Sequence, residues 1–190
     1  MAGKYSLQES IIVPSRMVFI MWLLFFIEYK FHYDLGFLGV YPRTVQGLLG
    51  VLAMPLIHGS VYHISGNTFP VLILGSMLYY FYPRYASRVF LQSYFFTNLL
   101  VWIFGRQAIH IGASGLIFSL ASFLIFYGFF KKDFKSVILS GIVIAIYGSM
   151  FLQIIPANPI VSWESHLLGA VVGVTNAFML GSNTKKFSIK

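Results

Sequence analysis

The residues of this chain best suited to chemistry are one serine, several histidines and one asparagine. Ser114 lies in Ile111-Gly112-Ala113-Ser114-Gly115-Leu116-Ile117-Phe118, at the head of an apolar run that continues to about Phe130. A hydroxyl at the start of a helix sits beside backbone N–H groups that have no acceptor within the helix. Those donors and the positive helix end favour negative charge close by. Glycine on both sides, Gly112 and Gly115, lets another backbone or a substrate come near. A serine so placed becomes a nucleophile when a base takes its proton.

The histidines offer that base. His58 and His63 flank the start of an earlier apolar run, and Asn67 follows His63 by one helical turn, on the same face. His110 precedes the serine segment, and His166 stands in Trp163-Glu164-Ser165-His166-Leu167-Leu168-Gly169. His32, beside Tyr33, reads as an interfacial residue. Three chemistries compete for the cluster. A zinc site would normally show His-Glu-x-x-His on a helix, which is absent. Hydrogen bonding between helices is the plain structural role for polar groups in a bundle, as close Gly/Ser packing is for Ser114. Nucleophilic catalysis, with Ser114 as nucleophile and His166 as base, explains why serine, base and amide donors should share one depth and one side.

The elements that must position these groups lie in a membrane. The 190 residues are 58% hydrophobic and 9% charged, with a mean hydropathy of +0.80. A soluble domain would carry roughly a quarter charged residues. The absence of cysteine excludes disulfides, thiolate catalysis and thiolate metal sites. The net charge of +8 does not point to nucleic acid, because the basic residues sit in short connections between apolar runs. That distribution fits topology signals and contact with anionic lipid.

Six spans are expected, at about 15–32, 62–82, 87–104, 113–130, 136–155 and 163–181, each near the roughly 20 residues a bilayer crossing needs. Ser15, after Pro14, is the expected cap of the first. This first span lacks a small-residue cleavage site and reads as a retained crossing. With both termini cytoplasmic, Lys4, Arg16, Arg84, Arg88, Lys131, Lys132, Lys135, Lys185, Lys186 and Lys190 fall inside, and Lys30, Arg43 and Arg106 outside. The outer link, about 33–61, is aromatic and glycine-rich, so it should lie partly in the interface, buried against protein. Ser165, Gly169 and Gly173 on span six, and Gly115 and Ser119 on span four, form small-residue strips suited to close approach. That approach would carry His166 toward Ser114. The expected fold class is all-α, a single polytopic membrane domain, with short termini that leave no room for an added soluble domain.

Gly112-x-Ser114-Gly115, the later His166-x-x-Gly169-x-x-x-Gly173 and the earlier His58-x-x-x-x-His63-x-x-x-Asn67 together resemble the rhomboid intramembrane serine proteases. The resemblance runs from about His58 to Gly173, and the six spans match the bacterial-type core. It implies Ser114 as nucleophile and His166 as general base, without an acid. It implies His63 and Asn67 as side-chain donors to the oxyanion, with the Ser114 N–H as a third, and His58 as a supporting residue of the long loop. Span five matches the family's lateral gate. The implied activity is cleavage of transmembrane or juxtamembrane segments of membrane proteins in a bacterial inner membrane, with no cofactor and no metal. The alternative is an inactive relative that binds or escorts membrane helices. Two departures stand out. Leu49-Gly50 occupies the place of a frequent Trp-Arg pair, with Arg43 available to anchor the loop another way. Phe118 stands where a tyrosine often packs on the histidine.

Overall fold

A computed structural model describes residues 5–157 and 161–183. Within them the regular structure is helical: α1 (Leu7–Phe31), α2 (Val45–Ala53), α3 (Val61–Phe81), α4 (Ala86–Phe104), α5 (Ser114–Lys131), α6 (Phe134–Tyr147) and α7 (Trp163–Asn183). Three 3-10 turns, Gly36–Leu38, Met54–Leu56 and Gly148–Ile154, join or extend them. The chain is thus an all-α, multi-pass membrane bundle. Lys4, Lys185, Lys186 and Lys190, which entered the charge argument, lie outside the described residues.

Side chains that compete for backbone hydrogen bonds start α1, α2, α3 and α6. Thr44 Oγ1 accepts from Gly47 N–H at 3.0 Å, and Ser60 Oγ accepts from His63 N–H at 3.1 Å. Asp133 Oδ1 accepts from Ser136 N–H at 3.2 Å. Burial disfavours the Asp133 anion, but Ser136 and Lys131 outweigh it and hold this carboxyl below its usual value. Ser15 does not cap α1. Ser6 does, in a reciprocal capping box with Glu9. Pro14 lies inside the helix, where a side chain on Gly75 of α3 would strike its ring. The first helix therefore begins well before the expected residue 15.

Two other boundaries differ from expectation. The outer link holds a helix of its own, α2, between 3-10 turns. Span five is α-helical only to Tyr147 and continues as 3-10 turn through Ile154. The six expected helical segments are present, but among the described residues length and apolarity qualify four as crossings: Leu7–Phe31, Ser114–Lys131, Phe134–Ile154 and Trp163–Ser182. A fifth arises if Val45–Leu56 and Val61–Phe81, bent by 70°, count as one broken span. The shortfall has a physical source. α3 and α4 turn polar residues inward, so Asn67, Ser93, Thr97 and Asn98 are buried in protein while lowering the mean hydropathy.

α5 is buried on nearly every side and forms the axis of the bundle. Its neighbours are placed by small residues and hydroxyls. Side chains on Gly169 and Gly173 would collide with the carbonyl oxygens of Gly115 and Ser119, and one on Gly181 would meet Phe130. The register advances in one direction on both helices, so α5 and α7 run parallel. Ser93 and Ser119 share a 2.8 Å hydrogen bond, and Thr97 lies against Gly115, which makes α4 antiparallel to α5. Ser140 of α6 donates to the Leu124 and Ile125 carbonyls at 3.1 and 2.7 Å. α1 lies against α3 through Trp22 Nε1, which donates to Thr68 Oγ1 at 3.0 Å. Tyr82, at the end of α3, packs on Phe123 and Tyr127 toward the end of α5, so α3, α5 and α7 share one polarity and their first turns gather at one end of the bundle.

Candidate active site

That shared end collects the polar residues singled out above. Ser114 is the first residue of α5, so helix geometry leaves its N–H without an acceptor inside the helix. Gly112, at φ 102°, makes the turn into the helix in a conformation open chiefly to glycine. Its N–H donates to the Met54 carbonyl at 2.9 Å, which ties the serine turn to the end of the outer link. α7 begins beside α5, and the glycine contacts leave no room for bulk between them. Consequently His166 Nε2 stands 3.0 Å from Ser114 Oγ. Its Nδ1 lies 3.1 Å from the Gln153 carbonyl, on the 3-10 turn after α6. Because a carbonyl only accepts, Nδ1 carries the proton and Nε2 presents its lone pair to the serine. Phe118, one turn below Ser114, stacks on the imidazole at 4.2 Å and 8°, and Phe151 packs edge-on against Phe118. The stack does not require the tyrosine hydroxyl.

The opposite wall belongs to α3. A side chain on Gly112 would run into His63 Nε2 and come within 3.4 Å of Asn67 Nδ2, so both head groups face the backbone that precedes Ser114. Asn67 is 5% exposed, and its Nδ2 is buried without a hydrogen-bond partner. Buried amide donors normally find an acceptor. An unpartnered one aimed at a serine turn is suited to an oxygen that arrives with a ligand. His58, 1% exposed, meets His63 edge-on at 4.9 Å between ring centres. Its Nδ1 lies 3.4 Å from the Leu56 carbonyl. His32 ends α1 in the left-handed region and is exposed.

The outer link is fastened where a Trp-Arg pair is missing. Arg43 Nη1 donates to the Ile103 and Gly105 carbonyls at 3.1 and 2.9 Å, occupying acceptors that the end of α4 leaves open. In return, α4 aims one face at the link. Asn98 Nδ2 donates to the Val51 carbonyl at 3.0 Å, Trp102 Nε1 to the Thr44 carbonyl at 2.9 Å, and Tyr94 to the Leu52 carbonyl. Gly50, half of the Leu49-Gly50 departure, lets α2 touch the backbone of Gly39 and Val40.

Some contacts are invisible to residue spacing. The acceptor for His166 is a main-chain oxygen, so the identity of Gln153 gives no sign of it. Glu164 turns away from the site, as its position on the helix implies, and is held in a 2.8 Å ion pair with Arg106.

Residues 46–183 match the family model described as "Rhomboid domain". An uncharacterized protein of Mycobacterium tuberculosis (strain ATCC 25618 / H37Rv) is 31% identical over 165 residues, covering 78% of this chain and 65% of the relative. An uncharacterized protein of Mycobacterium leprae (strain TN) is 28% identical over 184 residues, covering 88% and 70%. The chain thus spans somewhat under two thirds of the mycobacterial relative it matches at 31% identity. With most of its length inside the family model, and with the serine, histidine and glycine pattern at one end of a helical bundle, the chain belongs to the rhomboid family.

Proposed function

We propose that this protein is an intramembrane serine endopeptidase, cleaving transmembrane or juxtamembrane segments of single-span and other membrane proteins. The observation that carries the reading is the 3.0 Å approach of His166 Nε2 to Ser114 Oγ. In the proposed reaction His166 takes the hydroxyl proton as Ser114 Oγ attacks the scissile carbonyl. The Gln153 carbonyl holds the ring in the required tautomer and accepts from the imidazolium that forms, the place an acid occupies in a triad. Asn67 Nδ2, the His63 ring and the Ser114 N–H would receive the oxyanion. The imidazolium then protonates the leaving amine, leaving an acyl-enzyme that water hydrolyses with His166 again as base.

A substrate helix hides its carbonyls, so it must unwind before attack. The side of α6 is the proposed entrance. α6 exposes Val137, Ile138, Ile142, Ile144 and Ile146, and its end is already non-α from Gly148. In this reading the chain crosses a bacterial inner membrane six times with both termini cytoplasmic, and no cofactor takes part. A fluorophosphonate probe tests the nucleophile. The folded wild type should be labelled and should cleave a generic single-span substrate, and Ser114→Ala should do neither. Labelling that persists in Ser114→Ala removes Ser114 from the role. A folded wild type that neither labels nor cleaves favours the helix-escort reading.

A further inference from the structure

His110 stands four residues before Ser114, and Ser162 stands four residues before His166. The two upstream residues touch: His110 Nδ1 lies 2.6 Å from Ser162 Oγ. His110 Nε2 lies 3.0 Å from the Arg106 carbonyl, which can only accept, so Nε2 carries the proton and Nδ1 accepts from the Ser162 hydroxyl. Ser162 Oγ, having donated, receives from Ser165 Oγ at 2.6 Å. Each donor of this Ser165–Ser162–His110 relay therefore has an acceptor, and the direction of the relay is fixed.

The surroundings hold both ends of the contact in place. His110 exchanges two 2.9 Å backbone hydrogen bonds with Val40 of the outer link. Arg106 Nη1 pairs with Glu164 Oε2 at 2.8 Å, and its Nη2 donates to the Val161 carbonyl at 3.1 Å. The His166 N–H reaches back to the Ser162 carbonyl at 3.3 Å. The bridge thus joins the segment that delivers the serine to the segment that delivers the histidine, four residues before each. His110 is 2% exposed and Ser165 fully buried, and they shield from two sides the partly buried Ser162 hydroxyl between them.

We propose that His110 and Ser162 are positioning residues that set the distance between Ser114 and His166. This rests on the hydrolase reading above for its consequence in rate. A nucleophile and base misplaced by about 1 Å can lose on the order of 100-fold in turnover, whereas substrate binding, made elsewhere, is untouched.

The test compares wild type, Ser162→Ala, His110→Gln, His110→Asn and the double variant Ser162→Ala/His110→Gln on a single-span peptide substrate. Active sites are counted by saturating fluorophosphonate labelling. Glutamine can keep the donor toward Arg106 while losing the acceptor for Ser162, and asparagine places an amide oxygen near the lost Nδ1. Ser162→Ala and His110→Gln should lower kcat per labelled site about 10- to 100-fold with KM unchanged. The double variant should be no worse than either single one, and His110→Asn should recover most of the loss. Singles that turn over at the wild-type rate, additive losses, or a loss seen only as fewer labelled sites would each overturn the proposal. Should His110→Gln fail to fold, Ser162→Ala carries the comparison. A wild type that neither labels nor cleaves defeats the hydrolase reading by itself. The bridge is then decided by 15N NMR of the His166 ring, whose Nε2 signal should move in Ser162→Ala; an unmoved signal overturns it.

Discussion

Asn67 is the residue whose state in this structure says most about its use. Its amide nitrogen is buried without a partner beside the Ser114 turn, so truncation breaks no existing hydrogen bond there. Asn67→Ala should therefore leave the melting temperature in detergent within a few degrees of wild type. The same change should lower kcat by about 100- to 1,000-fold, the usual cost of removing one oxyanion donor. Peptide cleavage measured beside thermal unfolding separates the two effects, and an unchanged rate would remove Asn67 from the oxyanion role. His166 shows the complementary case. Both its nitrogens are occupied, one by Ser114 and one by a main-chain oxygen, and its face is covered by Phe118. A histidine held on three sides keeps one tautomer and one orientation without a neighbouring carboxylate.

Between elements, the α5–α7 contact decides whether the site exists. Gly169 is three residues past His166, and a methyl group there would collide with the Gly115 carbonyl oxygen. Backbone cannot yield as a flexible side chain can, so Gly169→Ala must push α7 away from α5 and take His166 with it. The expected cost is about 1–3 kcal/mol of stability, with a larger loss in kcat than in folded protein. Gly141 on α6 is the control, because a side chain there meets nothing within 4 Å. Gly141→Ala should be neutral or stabilise by up to about 1 kcal/mol, since alanine loses less backbone entropy in a helix. Thermal melts and turnover of the two variants, measured side by side, check the contrast. Equal effects from both would mean that the helix seam is looser than its glycines imply.

For the whole molecule, the arrangement of charge predicts its orientation. Lys131 lies over the Tyr82 and Tyr127 rings at 5.7 and 5.6 Å, and Arg84 lies over Tyr85. This basic end is opposite the serine–histidine end, because Lys131 closes the helix that Ser114 opens. The positive-inside rule then places the site toward the outer face. The cysteine-free sequence makes the test direct. In intact cells a membrane-impermeant maleimide should label a cysteine replacing the half-exposed Phe37 of the outer link. A cysteine replacing Lys132 should react only after the membrane is opened. The reverse pattern would invert the topology and put the proposed cleavage on the cytoplasmic side.

Sequence alone determined the solvent, the helices and the small-residue strips. Those follow from local rules: apolar runs of crossing length, polar residues placed once per turn, and glycines recurring at helical spacing. It also singled out Ser114, His166, His63 and Asn67, because a bilayer makes each polar group costly enough to stand out. It misjudged the start of α1, where a capping box six residues into the chain competes with a proline that the helix absorbs. It could not foresee α2, the 3-10 end of span five, or the hydrogen bonds that fasten the outer link. Only tertiary structure decided those, since they depend on carbonyls left open at helix ends and on which distant donors reach them. The Gln153 carbonyl and the His110–Ser162 bridge belong to the same class. Neither leaves a pattern along the chain, because each joins segments whose spacing in sequence is unrelated to their spacing in the fold.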